Sequence, residues 1–121
     1  MPNIQEMIER LKATVDPAKV GMFACHNGVV RATSRDGKPA RALDIDCDRD
    51  AWERVLRDVR SRPGIAAVEA HLNTGRREVG DDVLLVVVAG DIRENVFPVL
   101  EETVNRLKAE AVKKKEWLAN S

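Results

Sequence analysis

The chain has 121 residues, 20 Lys plus Arg against 20 Asp plus Glu, a net charge of zero and 3% aromatic residues. That length fits one domain, residues 1–121, with one hydrophobic core. The balanced charge excludes a whole-protein electrostatic pull on nucleic acid or on an anionic membrane, and so few rings leave little to stack bases on.

Ile4, Met7, Ile8, Leu11 and Val15 recur at helical spacing behind Asn3, a good N-cap, which predicts a helix over 3–15 ahead of a core at 20–116. This opening stretch lacks the apolar run of a signal peptide, and the longest apolar run, V-L-L-V-V-V-A-G at 83–90, is too short to cross a bilayer. A soluble cytoplasmic protein is expected. Residues 20–34 are rich in β-branched and small side chains and predict one strand, or two broken at Gly28. S-R-D-G-K-P then predicts a turn about Asp36-Gly37, joining that strand to a half-buried partner, A-R-A-L-D-I-D-C.

Ala51, Val55, Leu56 and Val59 share one face of a second helix, stopped by Pro63-Gly64. I-A-A-V-E-A-H-L is expected as a strand and N-T-G-R-R-E-V-G-D-D as a loop or bent hairpin. V-L-L-V-V-V-A-G is expected as a strand buried on both faces. The last helix is expected to open with Asp91 as N-cap and Glu94 in a capping box, with Pro98 near its first turns. Ile92, Val96, Val99, Leu100, Thr103, Val104 and Leu107 would form its core stripe, and N-R-L-K-A-E-A-V-K-K-K-E-W would close it. The order α-β-β-α-β-β-α predicts an α+β fold, a mixed or antiparallel sheet packed with helices.

Common catalytic motifs are missing. The serines lie outside any G-x-S-x-G elbow and no P-loop occurs. Cys25, Cys47, His26 and His71 lack metal-ligand spacing, so no metal is expected, and the two cysteines read as buried or part-buried thiols. Basic residues remain in three places. Arg31 is expected near a strand end beside a turn, and Arg93 in the first turn of a helix, where N–H groups favour an anion. Lys108 and Lys113 to Lys115 fall at that helix's other end. Each also has an ordinary reading: a surface arginine, half of a local ion pair, and a solvated helix end complementing the dipole.

In register, G-M-F-A-C-H-N-G-V-V-R, the A-W-E-R-V-L to V-V-V-A-G segment and I-R-E-N-V-F-P-V-L-E-E-T-V-N-R-L-K resemble the large, catalytic subunit family of molybdopterin synthase. The resemblance runs from Gly21 to Glu116. It implies an α/β-hammerhead-like fold and a homodimer that binds two copies of a small ubiquitin-like sulfur carrier, making a heterotetramer. The carrier's Gly-Gly C-terminal thiocarboxylate would deliver sulfur to cyclic pyranopterin monophosphate, forming molybdopterin in molybdenum cofactor biosynthesis. This sulfurtransferase chemistry needs no cofactor. The resemblance further implies that Lys108 and Lys115 are catalytic and that Arg31 and Arg93 bind substrate. Guanidinium and ammonium groups suit a phosphate and a thiocarboxylate, and a partly desolvated lysine can move protons or act as a nucleophile.

Two geometric expectations follow. Arg93 and Lys108 lie fifteen residues apart on one expected helix, about 22 Å at 1.5 Å per residue, so a shared pocket requires Arg93 from a second subunit. Lys108 and Lys115 lie seven apart, which on a continuing helix places both on one face about 10 Å apart. The family's H-R pair reads Ile92-Arg93, and the proline and tryptophan it carries before its second lysine are replaced by A-V-K-K. The alternative is therefore a catalytically impaired paralogue that binds a ubiquitin-like carrier as a regulatory module.

Overall fold

The computed structural model describes residues 2–33, 37 and 40–118, and the side chains of these except at 40, 41 and 116–118. Helix α1 (Ile4–Thr14) starts where the Asn3 Oδ1 accepts the Glu6 N–H at 2.8 Å. A short 3-10 turn (Pro17–Lys19) leads to β1 (Met22–Val29), β2 (Ala40–Cys47), α2 (Arg49–Arg60), β3 (Ile65–Leu72), β4 (Gly75–Glu78) and β5 (Asp82–Gly90). Helix α3 (Arg93–Arg106) runs into a π-helical turn (Leu107–Ala111) and then β6 (Val112–Leu118). The α+β class is as expected from the sequence, with both sheets antiparallel. No described helix is long and apolar enough to cross a membrane.

The first sheet has the order β1–β5–β3, so β5 is central. Its side chains alternate between two apolar layers. Leu84, Val86 and Val88 join the main core with α2 and α3, while Leu85 and Val87 meet Met7 and Leu11 of α1 on the reverse face. Each such buried side chain contributes about 1.5–3 kcal/mol. This double burial is what the unbroken apolar run foretold.

The second sheet departs from expectation. Its order is β4–β2–β6, so β2 is not the partner of β1. The expected turn between them falls outside the described residues except for Gly37, whose φ is +86°. β2 instead pairs with β4, cut from the segment expected as a loop, and with β6, cut from the expected helix end. The charges explain the second pairing: Asp44 and Asp46 of β2 stand opposite Lys115 and Lys113 of β6, and opposite charges across a ladder stabilise it.

Three smaller corrections concern local geometry. The N-cap of α3 is Ile92 and makes no side-chain cap bond. Asp91 instead accepts from the Ile92 N–H at 2.7 Å and from Asn95 Nδ2 at 2.9 Å. Pro98 is the sixth residue of α3 and so removes an internal hydrogen bond, that to Glu94. Ile92 is 52% exposed rather than part of the core stripe; it precedes the first helical residue and so lies off the packed face.

Candidate functional site

The chain path sorts three of the four basic candidates between two ends of the first sheet and puts the fourth, Lys115, on the second sheet. β1 and β5 are antiparallel, with Met22 opposite Gly90 and Val29 opposite Asp82. Two residues after β5 the chain enters α3, which packs back over β5 and β1. Arg93 therefore begins at the Met22 end and the π turn closes at the Val29 end. Arg31, just beyond β1, leaves the sheet at that same end; the turn expected beside it falls outside the described residues except for Gly37. Arg31 and Lys108 are thus brought to one end of the molecule, and Arg93 is held at the other.

Arg93 is well exposed and its Nε lies 3.1 Å from Glu94 Oε1. This is the ordinary local pair, worth little by itself. Lys108 projects from the π turn, between the buried Leu107 and the buried Ala111. Such turns break the i to i+4 ladder and often mark working positions. Lys108 is exposed in the isolated chain, so the desolvation expected of its pocket is not supplied by this subunit.

Lys115 lies on β6, not on a continuation of the helix. The shared-face geometry expected for Lys108 and Lys115 is therefore overturned, because β2 offers its edge to residues 112–118 and takes them out of the helix. Strand alternation separates the three lysines. Lys113 and Lys115 share a face with Asp46 and Asp44, whereas Lys114 shares its face with the buried Ile45. An open groove of about 290 Å³ crosses this point of the sheet, lined by Asp44, Ile45, Asp46, Gly75 and Lys113 to Lys115. The alternating D-I-D of β2 and the K-K-K run of β6 are the complementary sequence signal for this ladder.

His26 carries no signal in the sequence, where its spacing excludes only metal ligation. It lies on the face of β1 shared with Met22 and Ala24, both part of or packed on the main core. Its Nε2 is enclosed and lacks a hydrogen-bond partner, an arrangement that costs about 1–3 kcal/mol. Burial, and then the Lys108 charge, hold its pKa below the ordinary imidazole value.

The thiols do not form part of this site. Cys25 is exposed, contrary to expectation: it lies on the edge strand β1 opposite Val87, on the sheet face that α1 packs, but is not among the residues packed there. Cys47 is half-buried, and burial pushes its thiol up. Among the described residues no group of three or more His, Cys, Asp and Glu is placed to hold a metal ion.

The model of the family described as MoaE protein matches residues 3–110. The chain belongs to the MoaE protein family. A probable molybdopterin synthase of Haloferax volcanii is 31% identical over 114 residues, 88% of this chain and 43% of the relative. The molybdopterin synthase catalytic subunit of a Nostoc species is 29% identical over 117 residues, covering 91% of this chain and 70% of the relative. The chain thus spans less than half of the first relative's length. The crystal structure of molybdopterin synthase from Staphylococcus aureus superposes with a TM-score of 0.78 at 16% identity, covering 100% of this chain and 88% of that one. A complex of subunits 1 and 2 of the molybdopterin-converting factor from Helicobacter pylori 26695 contains a chain matching at a TM-score of 0.73 and 17% identity, covering 99% and 82%. These two structures share the fold. Arg31, Arg93 and Lys108 lie inside the MoaE match, and Lys115 lies beyond it.

Proposed function

We propose that this chain is a sulfurtransferase of molybdenum cofactor biosynthesis, transferring sulfur from the C-terminal thiocarboxylate of a small carrier protein to cyclic pyranopterin monophosphate. The observation that carries this reading is MoaE family membership over residues 3–110, which includes three of the four basic candidates. The relatives named as molybdopterin synthase and its catalytic subunit supply the activity, and the two-subunit Helicobacter complex supplies the class of partner.

Lys108 is the catalytic amine in this reading, with Lys115 as its companion and Arg31 on the substrate's anionic groups. Arg93 stands some 22 Å from Lys108 along α3 and its π turn, so it serves the pocket of a second subunit, in a homodimer. That second copy, together with the carrier's tail, provides the desolvation that Lys108 lacks here. Once covered, charge-assisted contacts to phosphate and thiocarboxylate strengthen. An exposed amine at a π turn, accessible to a partner's extended tail, supports this arrangement.

The second reading is a carrier-binding module without turnover. Ile92, where the family resemblance leads one to expect a histidine beside Arg93, favours it. Mixing the protein with thiocarboxylated carrier and cyclic pyranopterin monophosphate separates the two. Dithiolene product supports the synthase, tight carrier binding without product supports the module, and the absence of both product and binding overturns both readings.

A further inference from the structure

Arg106 is the last residue of α3, and its guanidinium meets carboxylates from three elements. Its Nε lies 2.8 Å from Glu110 Oε2 and its Nη2 3.4 Å from Glu110 Oε1, a two-pronged contact with the π turn. The same Nη2 reaches Asp58 Oδ2 of α2 at 3.1 Å, and Nη1 stands 3.7 Å from Glu102 Oε2 of α3 itself. Glu102 is held in turn by Arg62, just beyond α2, whose Nε and Nη2 donate to its two oxygens at 3.1 and 2.6 Å. The Arg106 side chain is only 25% exposed. A lone surface pair is worth little, but a planar fork shared among several carboxylates forms a network with fixed geometry. Hydrogen bonds from Arg62 and from Arg106 hold the carboxyls of Glu102 and Glu110, respectively, below the ordinary range.

The network closes over the turn that carries Lys108. That turn gives up the ordinary helical ladder for a wider one, in which the Val112 N–H donates to the Leu107 carbonyl. Its inner side is fixed by Leu107 and Ala111, both fully buried, and by the Asp48 N–H, which donates to the Ala111 carbonyl at 2.8 Å. Residues 108–110 form its exposed outer side, where the contacts of Arg106 with Glu110 and Asp58 tie it to α2. We propose that Arg106 is a positioning residue for Lys108: by joining Glu110 of the π turn to Asp58 of α2, it fixes the turn from which the amine projects. This rests on the reading that Lys108 is the catalytic amine. A lysine in place of Arg106 would keep the charge but lacks the fork that holds two carboxylates in register.

The brace is read first without catalysis, by amide hydrogen exchange in the full chain. The Val112 amide should exchange about tenfold faster in Arg106→Lys, and about threefold faster in the milder Glu110→Gln, while the amides of β5 keep their rates. A Val112 amide that is unmoved, or that speeds up only together with β5, overturns the proposal. Turnover then reads the positioning. Arg106→Lys should lower kcat about tenfold, with KM for the pterin within about twofold of wild type. Adding Glu110→Gln to Arg106→Lys should cost nothing more, because the two side chains act through one contact. Arg62→Gln cuts the other limb of the network, leaves the bonds to the π turn in place and should keep kcat within about twofold. A change confined to KM, additive losses in the double variant, or an equal loss in Arg62→Gln overturns positioning. A wild type without turnover would refute the sulfur-transfer reading, while the exchange rates would still decide whether Arg106 fixes the turn.

Discussion

Lys115 stands directly opposite Asp44 in the β6–β2 ladder, on the face that the neighbouring Lys114 does not share. Three consecutive lysines are thereby made inequivalent. A strand turns successive side chains to opposite faces, whereas a helix would have spread all three around one exposed end. If the Asp44 face is the working one, Lys115→Ala should lower turnover about 10- to 100-fold, the value of a charged hydrogen bond. Lys114→Ala should stay within about twofold. Steady-state kinetics of the two variants, with circular dichroism to check folding, decides between them.

Arg93 and Lys108 stand apart by the length of α3, so if both serve one pocket, as proposed, the pocket needs two subunits. Arg93→Ala and Lys108→Ala subunits, each inactive alone, should complement when mixed. Random pairing yields mixed dimers in about half the population, each with one intact pocket, so activity should recover to about a quarter of wild type. A mixture as inactive as its components would show that both residues serve one subunit's pocket or that no dimer forms.

Gly64 carries a local consequence for the start of α3. Its φ is +78°, and a Cβ there would press on the Asn95 and Asp91 side chains. Those two side chains bond each other and fix the entry into the helix. Gly64→Ala combines a left-handed backbone with that clash and should destabilise the fold by about 1–3 kcal/mol. Urea unfolding reads this directly as a lower midpoint at unchanged slope.

Both histidines are held below the ordinary imidazole value of 6.5, chiefly by burial. The unfolded chain therefore binds these protons more tightly than the native one. Stability contributed by the neutral rings is complete above pH 6.5 and is lost as pH falls from there through the native midpoints. Denaturation midpoints should decline on acidification below 6.5, before the lowered carboxylates Asp91, Glu102 and Glu110 begin to protonate. In His26→Phe that decline should be smaller. A flat profile between pH 6.5 and 5 in the wild type would contradict the account.

The strands of the first sheet and all three helices could be read from local pattern, but the pairing of β1 with β5 rather than β2 could not. Val83 to Gly90 is apolar without alternation because both faces of β5 are covered, and the stripes of α1 and α2 repeat at helical spacing. The second sheet was hidden because its signal is long-range. Gly75 to Glu78 holds four residues, too few to show a period. Val112 to Leu118 follows a helix with no proline between, so local reasoning extends the helix. What decides otherwise is the edge of β2, with Asp44 and Asp46 about seventy positions away from their lysine partners in the chain. The candidate site divides in the same way. Residue types at Arg31 and Lys108 pointed to anions, but their arrival at one end depends on α3 reversing over the sheet. His26 could not be found from sequence, since a histidine's missing hydrogen bond exists only in three dimensions.

The central claim is that Lys108 drives transfer of sulfur to the pterin. The most direct measurement follows single-turnover formation of the dithiolene by mass spectrometry, with wild type and Lys108→Ala side by side and carrier affinity measured for each. The account predicts product with the wild type and a fall of at least about a hundredfold with Lys108→Ala, at nearly unchanged carrier affinity. Product formed at the same rate by both proteins would contradict it.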